Sequence, residues 1–283
     1  MFKLKGYSGC GLQLHPDEKN QYFVRKISED PDYFLRLKKQ AKKQKDFIAP
    51  NNIAVPQVFK EYEKEASYAF DMEYIWGTDF LSFTHRCPRQ SLDWLGDIIL
   101  EFISGNLNKS NWSEFPHSQF RKKLETTLQV VSSRNRVDTG FLKETEKFFN
   151  DADYSYEFPF GYCHGDLTFS NMLVLDRGNQ LAFIDFLDVE INTPLHDIVK
   201  LRQDTIHGWS LRLYEGDIDE TKIKIAWKHL DRRVWDGLNK DFQLKPYYKI
   251  MQVLNFLRIL KYTRSPEMDR FLCKCINNVM VKE

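Results

Sequence analysis

The sequence predicts an α+β chain of two lobes, a small sheet-rich N-terminal lobe and a larger, mainly helical C-terminal lobe. Three observations carry that expectation. Strand-length apolar runs separated by turn residues fill most of the stretch before residue 76, a glycine stands at Gly77, and from about residue 89 apolar residues recur at helical spacing over longer segments. The lobe boundary is therefore set at Gly77, giving units 1–76 and 77–283.

In chain order, Gly6, Gly9 and Gly11 open the sequence, and the freedom of glycine suits either a turn that lets backbone approach a ligand or an ordinary hairpin. Tyr22-Phe23-Val24-Arg25-Lys26-Ile27 reads as a short strand. Residues 32–48 are good helix formers with a dense basic face, and Phe34, Leu37, Ala41 and Ile48 are expected to point inward. Asn51 and Asn52 end that pattern. Val55–Phe59 and Ala69–Ile75 read as further strands, with the charged residues 60–66 between them as a hairpin connection or a solvated strand face.

Past Gly77, helices are expected over 91–103, 117–131 and Thr139–Phe149, the last capped by Thr139. Asn171–Leu175 and Leu181–Ile184 form the arms of a hairpin turned at Asp176–Asn179 and ending at Asp185. Three closing helices, over 220–238, 247–263 and 266–280, are separated at Pro246 and Ser265-Pro266.

Composition excludes several function classes. The 283 residues carry 41 Lys plus Arg against 40 Asp plus Glu, so no global field attracts nucleic acid or an anionic bilayer. No apolar run approaches the roughly 18 residues that a membrane span needs, and no signal-peptide pattern opens the chain, so a cytoplasmic location is expected. The five cysteines, Cys10, Cys87, Cys163, Cys273 and Cys275, are odd in number and lack C-x-x-C spacing, which reads as reduced thiols.

The chemistry concentrates in residues 159–190. Phosphoryl transfer needs a carboxylate to orient the acceptor hydroxyl and oxygen ligands to hold magnesium against the phosphate. His164-Gly165-Asp166 followed by Asn171 supplies a carboxylate and a carboxamide, and the hairpin can carry Asp185 to the same region. Such oxygens suit hard Mg2+.

These two motifs, H-G-D-x-x-x-x-N from His164 to Asn171 and I-D-F at Ile184-Asp185-Phe186, resemble the aminoglycoside phosphotransferase and choline kinase superfamily, distant relatives of protein kinases. The resemblance covers roughly residues 1–204. It implies a bilobal protein-kinase-like fold and MgATP-dependent transfer to a hydroxyl of a small molecule such as a sugar, amino sugar or amino alcohol.

By the same resemblance Asp166 is the catalytic base, Asn171 and Asp185 are magnesium ligands, and His164 organises the loop. Asp197 supports that loop from the segment after the metal-binding aspartate. Gly6, Gly9 and Gly11 cover the phosphates, Lys26 orients them, and backbone groups around Glu73 and Ile75 meet the adenine edge. Arg25 takes the place of Lys26 if the strand register shifts by one. Asp188 either approaches the metal or stabilises a turn.

The sequence departs from the superfamily pattern in one helix. Gln40 and Gln44 stand where a glutamate partner for the lysine is expected, and a glutamine can orient an ammonium without neutralising it; Glu29 or Asp32 could substitute. Acceptor recognition falls to Asp204, His207, Trp209 and Arg212, with Trp227 and Trp235 later, although tryptophans there can equally pack helices. A protein kinase and a nucleotide-binding sensor or scaffold are the competing functional classes; residues 186–204 contain no stretch resembling a protein-kinase activation segment.

Overall fold

The structure, a computed structural model, describes residues 2–4, 10–16, 18, 21–65, 67–175 and 180–282. Gly6, Gly9 and the turn expected at 176–179 lie outside the described residues. The first strands are β1 (Phe2–Leu4), β2 (Gly11–Pro16) and β3 (Tyr22–Ser28), followed by helix α1 (Pro31–Lys45), the short β4 (Ile53–Ala54), then β5 (Val58–Lys64) and β6 (Ser67–Glu73). An antiparallel five-stranded sheet runs in the order β1-β2-β3-β6-β5.

Period-two alternation sorts β3: Val24, Lys26 and Ser28 are buried, while Phe23, Arg25 and Ile27 are less so. Val24 joins Cys10, Leu37, Ala41, Tyr68, Phe70 and Met72 in a core between the sheet and α1. Ile48, expected to point inward, is 92% exposed. Helix α1 ends at Lys45, so the helical spacing that counted Ile48 as a core position no longer applies there. The charged segment 60–64 belongs to a strand, and its acids meet the basic face of α1: Lys38 pairs with Glu63 at 2.8 Å and Lys45 with Glu61 at 2.6 Å.

The chain leaves β6 through residues 74–77 into β7 (Thr78–Asp79). Then come α2 (Phe80–Arg86), α3 (Arg89–Asn108), β8 (Asn111–Ser113), α4 (His117–Ser133), α5 (Thr139–Asn150) and β9 (Phe158–Phe160). Asp138, and not Thr139, caps α5: its carboxylate accepts the Phe141 amide at 3.0 Å, and Thr139 is already the first helical residue.

Strands β10 (Met172–Leu175) and β11 (Gln180–Phe183) form the expected antiparallel pair. They sit in a four-stranded sheet of order β4-β11-β10-β7, which takes β4 from before Gly77 and the other three strands from after it. A Cβ on Gly77 would stand 3.0 Å from Leu173 Cβ and 3.1 Å from Val174 O, so the glycine lets the connector lie against β10.

The remainder is helical: α6 (Leu195–Thr205), α7 (Trp209–Leu213), α8 (Glu220–Asp241), α9 (Lys245–Leu260) and α10 (Pro266–Lys282). Leu95, Ile99 and Phe102 of α3, Leu230 of α8 and Phe256 and Leu257 of α9 are buried in one core. Trp227 is 1% exposed and its indole donates to Thr84 Oγ1 at 3.3 Å, while Trp235 lies 4.8 Å from the Tyr248 ring, so both tryptophans pack helices. Among the described residues no helix is long and apolar enough to cross a membrane.

Truncating Leu37, which is fully buried under the sheet, is expected to cost about 2–5 kcal/mol as Leu37→Ala, whereas Ile48→Ala should stay within about 0.5 kcal/mol. Equilibrium denaturant unfolding of the two variants measures both values.

Candidate active site

The loop between β9 and β10 carries His164, Asp166 and Asn171, and its backbone is fixed from α6. Asp197, at 0% exposure, accepts the His164 amide and the Gly165 amide, each at 2.8 Å, one on each carboxylate oxygen. Burial pushes this carboxyl up to about 7 while the two amides pull it down. Gly165 has φ +90°, and a Cβ there would meet Leu187 O at 2.5 Å, so only glycine fits this close approach.

His164 is buried and its two ring nitrogens have different jobs. Nδ1 accepts the Asp166 amide at 3.2 Å, which leaves Nε2 to donate to Ile184 O at 3.0 Å. Burial pushes its pKa down to about 4, so the ring is neutral and ties the loop to the end of β11.

Asp166 is held from two sides. Lys200 Nζ lies 3.0 Å from Oδ1, and Asn171 Nδ2 donates to Oδ2 at 3.1 Å and to the Asp166 carbonyl at 2.8 Å. Burial would raise this carboxyl, but Lys200, with help from His164 and the Asn171 hydrogen bond, holds it below the usual range. Because the Asn171 NH2 is committed to Asp166, its Oδ1 is turned the other way.

Asp185 follows β11 with φ 62°, a left-handed conformation for a residue that bears a Cβ. Hydrogen bonds pin it on both sides: the Ile184 amide donates to Asn171 O and the Leu187 amide to His164 O, both at 3.0 Å. Its carboxylate accepts from Lys26, which is 3% exposed and also donates to Gln40 Oε1 at 3.1 Å. The glutamine of α1 thus orients the lysine while the charge partner comes from the hairpin. Gln44 turns elsewhere, donating to Pro56 O at 2.6 Å, and Glu29 is exposed.

Arg25 lies on the opposite face of β3, forked onto Asp71 at 2.6 and 2.7 Å and onto Tyr62 at 2.8 Å. It is Lys26 that faces the loop. Asp188 sits 3.6 Å from Lys39, and Lys43 donates to Leu187 O at 2.8 Å, so the basic face of α1 also reaches the segment after Asp185. Gly11 begins β2 opposite Ile27. Glu73 ends β6 with its amide on Gln57 O at 2.9 Å, and Ile75 lies half-buried in the connector.

One expectation for acceptor recognition is corrected. Asp204 is fully buried, and its oxygens accept the Phe169 amide at 2.6 Å and the Ser210 amide at 2.7 Å, so it braces the catalytic loop from beneath. Arg212 stands 3.5 Å from Glu267 and 3.8 Å over the Phe271 ring, which ties α7 to α10. His207 meets Phe256 edge-on at 4.8 Å and Trp209 packs against the large core. Cys163 is buried and its thiol is pushed up to about 12, which excludes a thiolate nucleophile at neutral pH.

The residue missed in the sequence is Lys200. Its signal was the spacing from Asp197: three positions along a helix put both side chains toward the same loop.

Among the described residues no three His, Cys, Asp or Glu side chains form a ready-made metal cage. The donor set nevertheless fits magnesium, which is commonly held by one or two carboxylates together with substrate phosphates. Asp185 is 39% exposed and Asn171 presents a carboxamide oxygen on the adjoining strand start, linked to it through the Ile184 amide.

Residues 7–231 match the phosphotransferase enzyme family. No curated protein matches the chain. Among solved structures, a candidate fructosamine-3-kinase from Thermobifida fusca is similar with a TM-score of 0.62 at 13% identity, covering 98% of this chain and 92% of that one. A second, from Haemophilus somnus, gives 0.59 at 13% identity over 99% and 91%. An aminoglycoside phosphotransferase of type APH(4)-Ia, in complex with AMP-PNP and hygromycin B, gives 0.58 at 12% identity over 99% and 92%. At such identities these structures share the bilobal kinase-like fold.

Protonation of His164 provides a test of the loop. Its folded pKa, about 4, lies below the ordinary 6.5, so the unfolded chain takes up the proton first. The stability His164 contributes is therefore complete above about pH 6.5 and fades as pH falls toward 4. The stability gap between the wild type and His164→Gln should narrow over that window by up to about 3 kcal/mol, at about 1.4 kcal/mol per unit. Denaturant unfolding of both proteins across pH reads it; a constant gap would contradict the assignment.

Proposed function

The chain belongs to the phosphotransferase enzyme family, and from that membership we propose that it transfers the terminal phosphoryl group of ATP, with magnesium, to a hydroxyl of a small molecule such as a sugar, amino sugar or amino alcohol. The observation that carries the reading is the convergence through Asn171, whose side chain holds Asp166 while its carbonyl accepts the amide next to Asp185.

In this reading Asp166 receives the acceptor hydroxyl on its Oδ1 side, where Lys200 also stands. A carboxyl held below its usual range is a weak base, so its contribution is to orient the hydroxyl for in-line attack and to take the proton late. Asp185 and the Oδ1 of Asn171 are the magnesium ligands. Held there, magnesium would supply neutralisation of the charge on the phosphate oxygens. Lys26, oriented by Gln40, turns its ammonium to the phosphates, with Gly6, Gly9 and Gly11 covering them and the backbone around Glu73 and Ile75 meeting the adenine edge. His164, Asp197 and Asp204 act through the loop backbone. Gly77 marks the boundary between a nucleotide-binding unit, 1–76, and a catalytic and acceptor-binding unit, 77–283.

A protein acceptor is disfavoured by residues 186–194, the short link between Asp185 and α6, which leave no room for an extended activation segment. A nucleotide sensor would bind ATP without turnover.

Asp166→Asn should lower transfer by roughly 10²- to 10⁴-fold with the fold retained. Asp185→Ala should raise the magnesium concentration needed for turnover. The test is an acceptor screen that follows ATP loss together with the mass of the phosphorylated product, since ATP loss alone also arises from hydrolysis. Wild-type turnover in Asp166→Asn, or an unaltered magnesium dependence in Asp185→Ala, would contradict these roles.

A further inference from the structure

Helix α6 places His196 and Lys200 four residues apart, on one face, and Lys200 is the residue that reaches Asp166. Beside that face lies a small cleft between α4, α6 and α9, open to solvent at its mouth and enclosing about 10 Å³. Its floor is apolar, and its polar wall is Lys123 of α4, His196 of α6, and Asn255 and Arg258 of α9. Asn255 is committed to Gln203 Oε1 at 2.7 Å. The other three form an unusual set.

His196 is 7% exposed, and its Nε2 has no hydrogen-bond partner. Arg258 makes no hydrogen bond or ion pair with any described residue, although burial and the neighbouring Arg36 both disfavour its charge. Lys123 has only a long contact, 3.6 Å to a Glu190 carboxylate that is 53% exposed, and burial with Arg258 pushes its pKa down to about 8. The carboxylates acting on this group are Glu190, shared with Lys123, and Asp166, engaged by Lys200; Lys261 adds further positive charge. Burying a guanidinium and an ammonium without matched counter-charge is costly, and such sites are completed by a partner that carries the missing charge.

We propose that this cleft is the acceptor subsite and that it takes an oxyanion of the acceptor, held by Arg258, Lys123 and the Nε2 of His196, while a hydroxyl of the same molecule meets Asp166. The inference rests on the kinase reading above and narrows it. The acceptor is an acidic hydroxylated molecule, such as a phosphorylated sugar or a sugar acid, and an amino alcohol is excluded because its cation would face cations. Guanidinium and ammonium donors give charge-assisted hydrogen bonds to phosphate or carboxylate, and Arg258 can do so with two donors at once.

The test separates the anion pocket from the chemistry by reading binding without nucleotide. The His196 ring resonances are followed by NMR while the full chain is titrated with sulfate, glucose 6-phosphate, glucuronate and neutral glucose. The two sugar anions separate a phosphate-bearing from a carboxylate-bearing acceptor. At least one anion should shift these resonances and glucose should not. Arg258→Met should weaken the binding by roughly tenfold to a hundredfold, Arg258→Lys by less, and Lys26→Met, on the nucleotide side, should leave it unchanged. If Arg258→Met does not fold, Lys123→Met carries the same comparison.

Resonances that ignore every anion, or equal binding in the Arg258 or Lys123 variant, would overturn the proposal. An acceptor screen then distinguishes the two layers. Turnover of neutral or cationic acceptors with an unresponsive His196 would sink the anion pocket and leave the kinase reading standing. Anion binding at His196 without any phosphorylated product would sink the kinase reading instead.

Discussion

Two backbone amides on one buried carboxylate are the constraint on which the site depends. Asp197 receives His164 and Gly165 from below, and that grip sets the direction in which the loop leaves β9. Everything functional then follows by short covalent or hydrogen-bonded steps: Asp166 is the next residue, the His164 ring reaches Ile184, and Asp185 is the residue after that. An unpaired carboxylate at this depth would be strongly disfavoured, and unpaired loop amides equally so. Asp204 repeats the device two turns further along α6, on Phe169 and Ser210. The buried acids of α6 therefore fix backbone, while Asp166 and Asp185 stay half-buried and pair with Lys200 and Lys26.

The charge pattern around Lys26 follows a related logic. In α1 a neutral glutamine orients the ammonium, and the hairpin carboxylate supplies the counter-charge. The lysines on the same helix, Lys39 and Lys43, meanwhile reach Asp188 and Leu187 O. Helix α1 is thus fastened to the segment after Asp185 from more than one position, which a solvated basic face would not require.

Much of this was legible in the sequence, for identifiable reasons. Helices such as α3 and α8 repeat apolar residues over several turns, so their existence and type were readable, and the β10–β11 hairpin was marked by turn residues between two apolar runs. The loop motif put Asp166 and Asn171 at fixed spacing, with the hairpin predicting the arrival of Asp185. What was hidden depended on three-dimensional neighbours. Lys26 and Arg25 could be exchanged by a one-residue shift until the pairing of Lys26 with Phe70 and Leu12 fixed the face. Ile48 looked apolar and in phase, but the helix had already stopped. Asp204 lay near the motif in sequence and read as a recognition residue, whereas it holds the loop in place. Arg258 has no local signature at all, since its meaning comes from facing the same cleft as Lys123 and His196, which stand on other helices.

The sheet formed by β4, β11, β10 and β7 has a mechanical consequence. Its outer strands come from opposite sides of Gly77, so the arm that ends at Asp185 is stitched by backbone ladders to both halves of the molecule. A rocking movement of the five-stranded sheet that left those ladders intact would carry Lys26 through an arc while the hairpin stayed nearly still. The aspartate would then serve as a fixed post, and the lysine as the swinging arm that meets it.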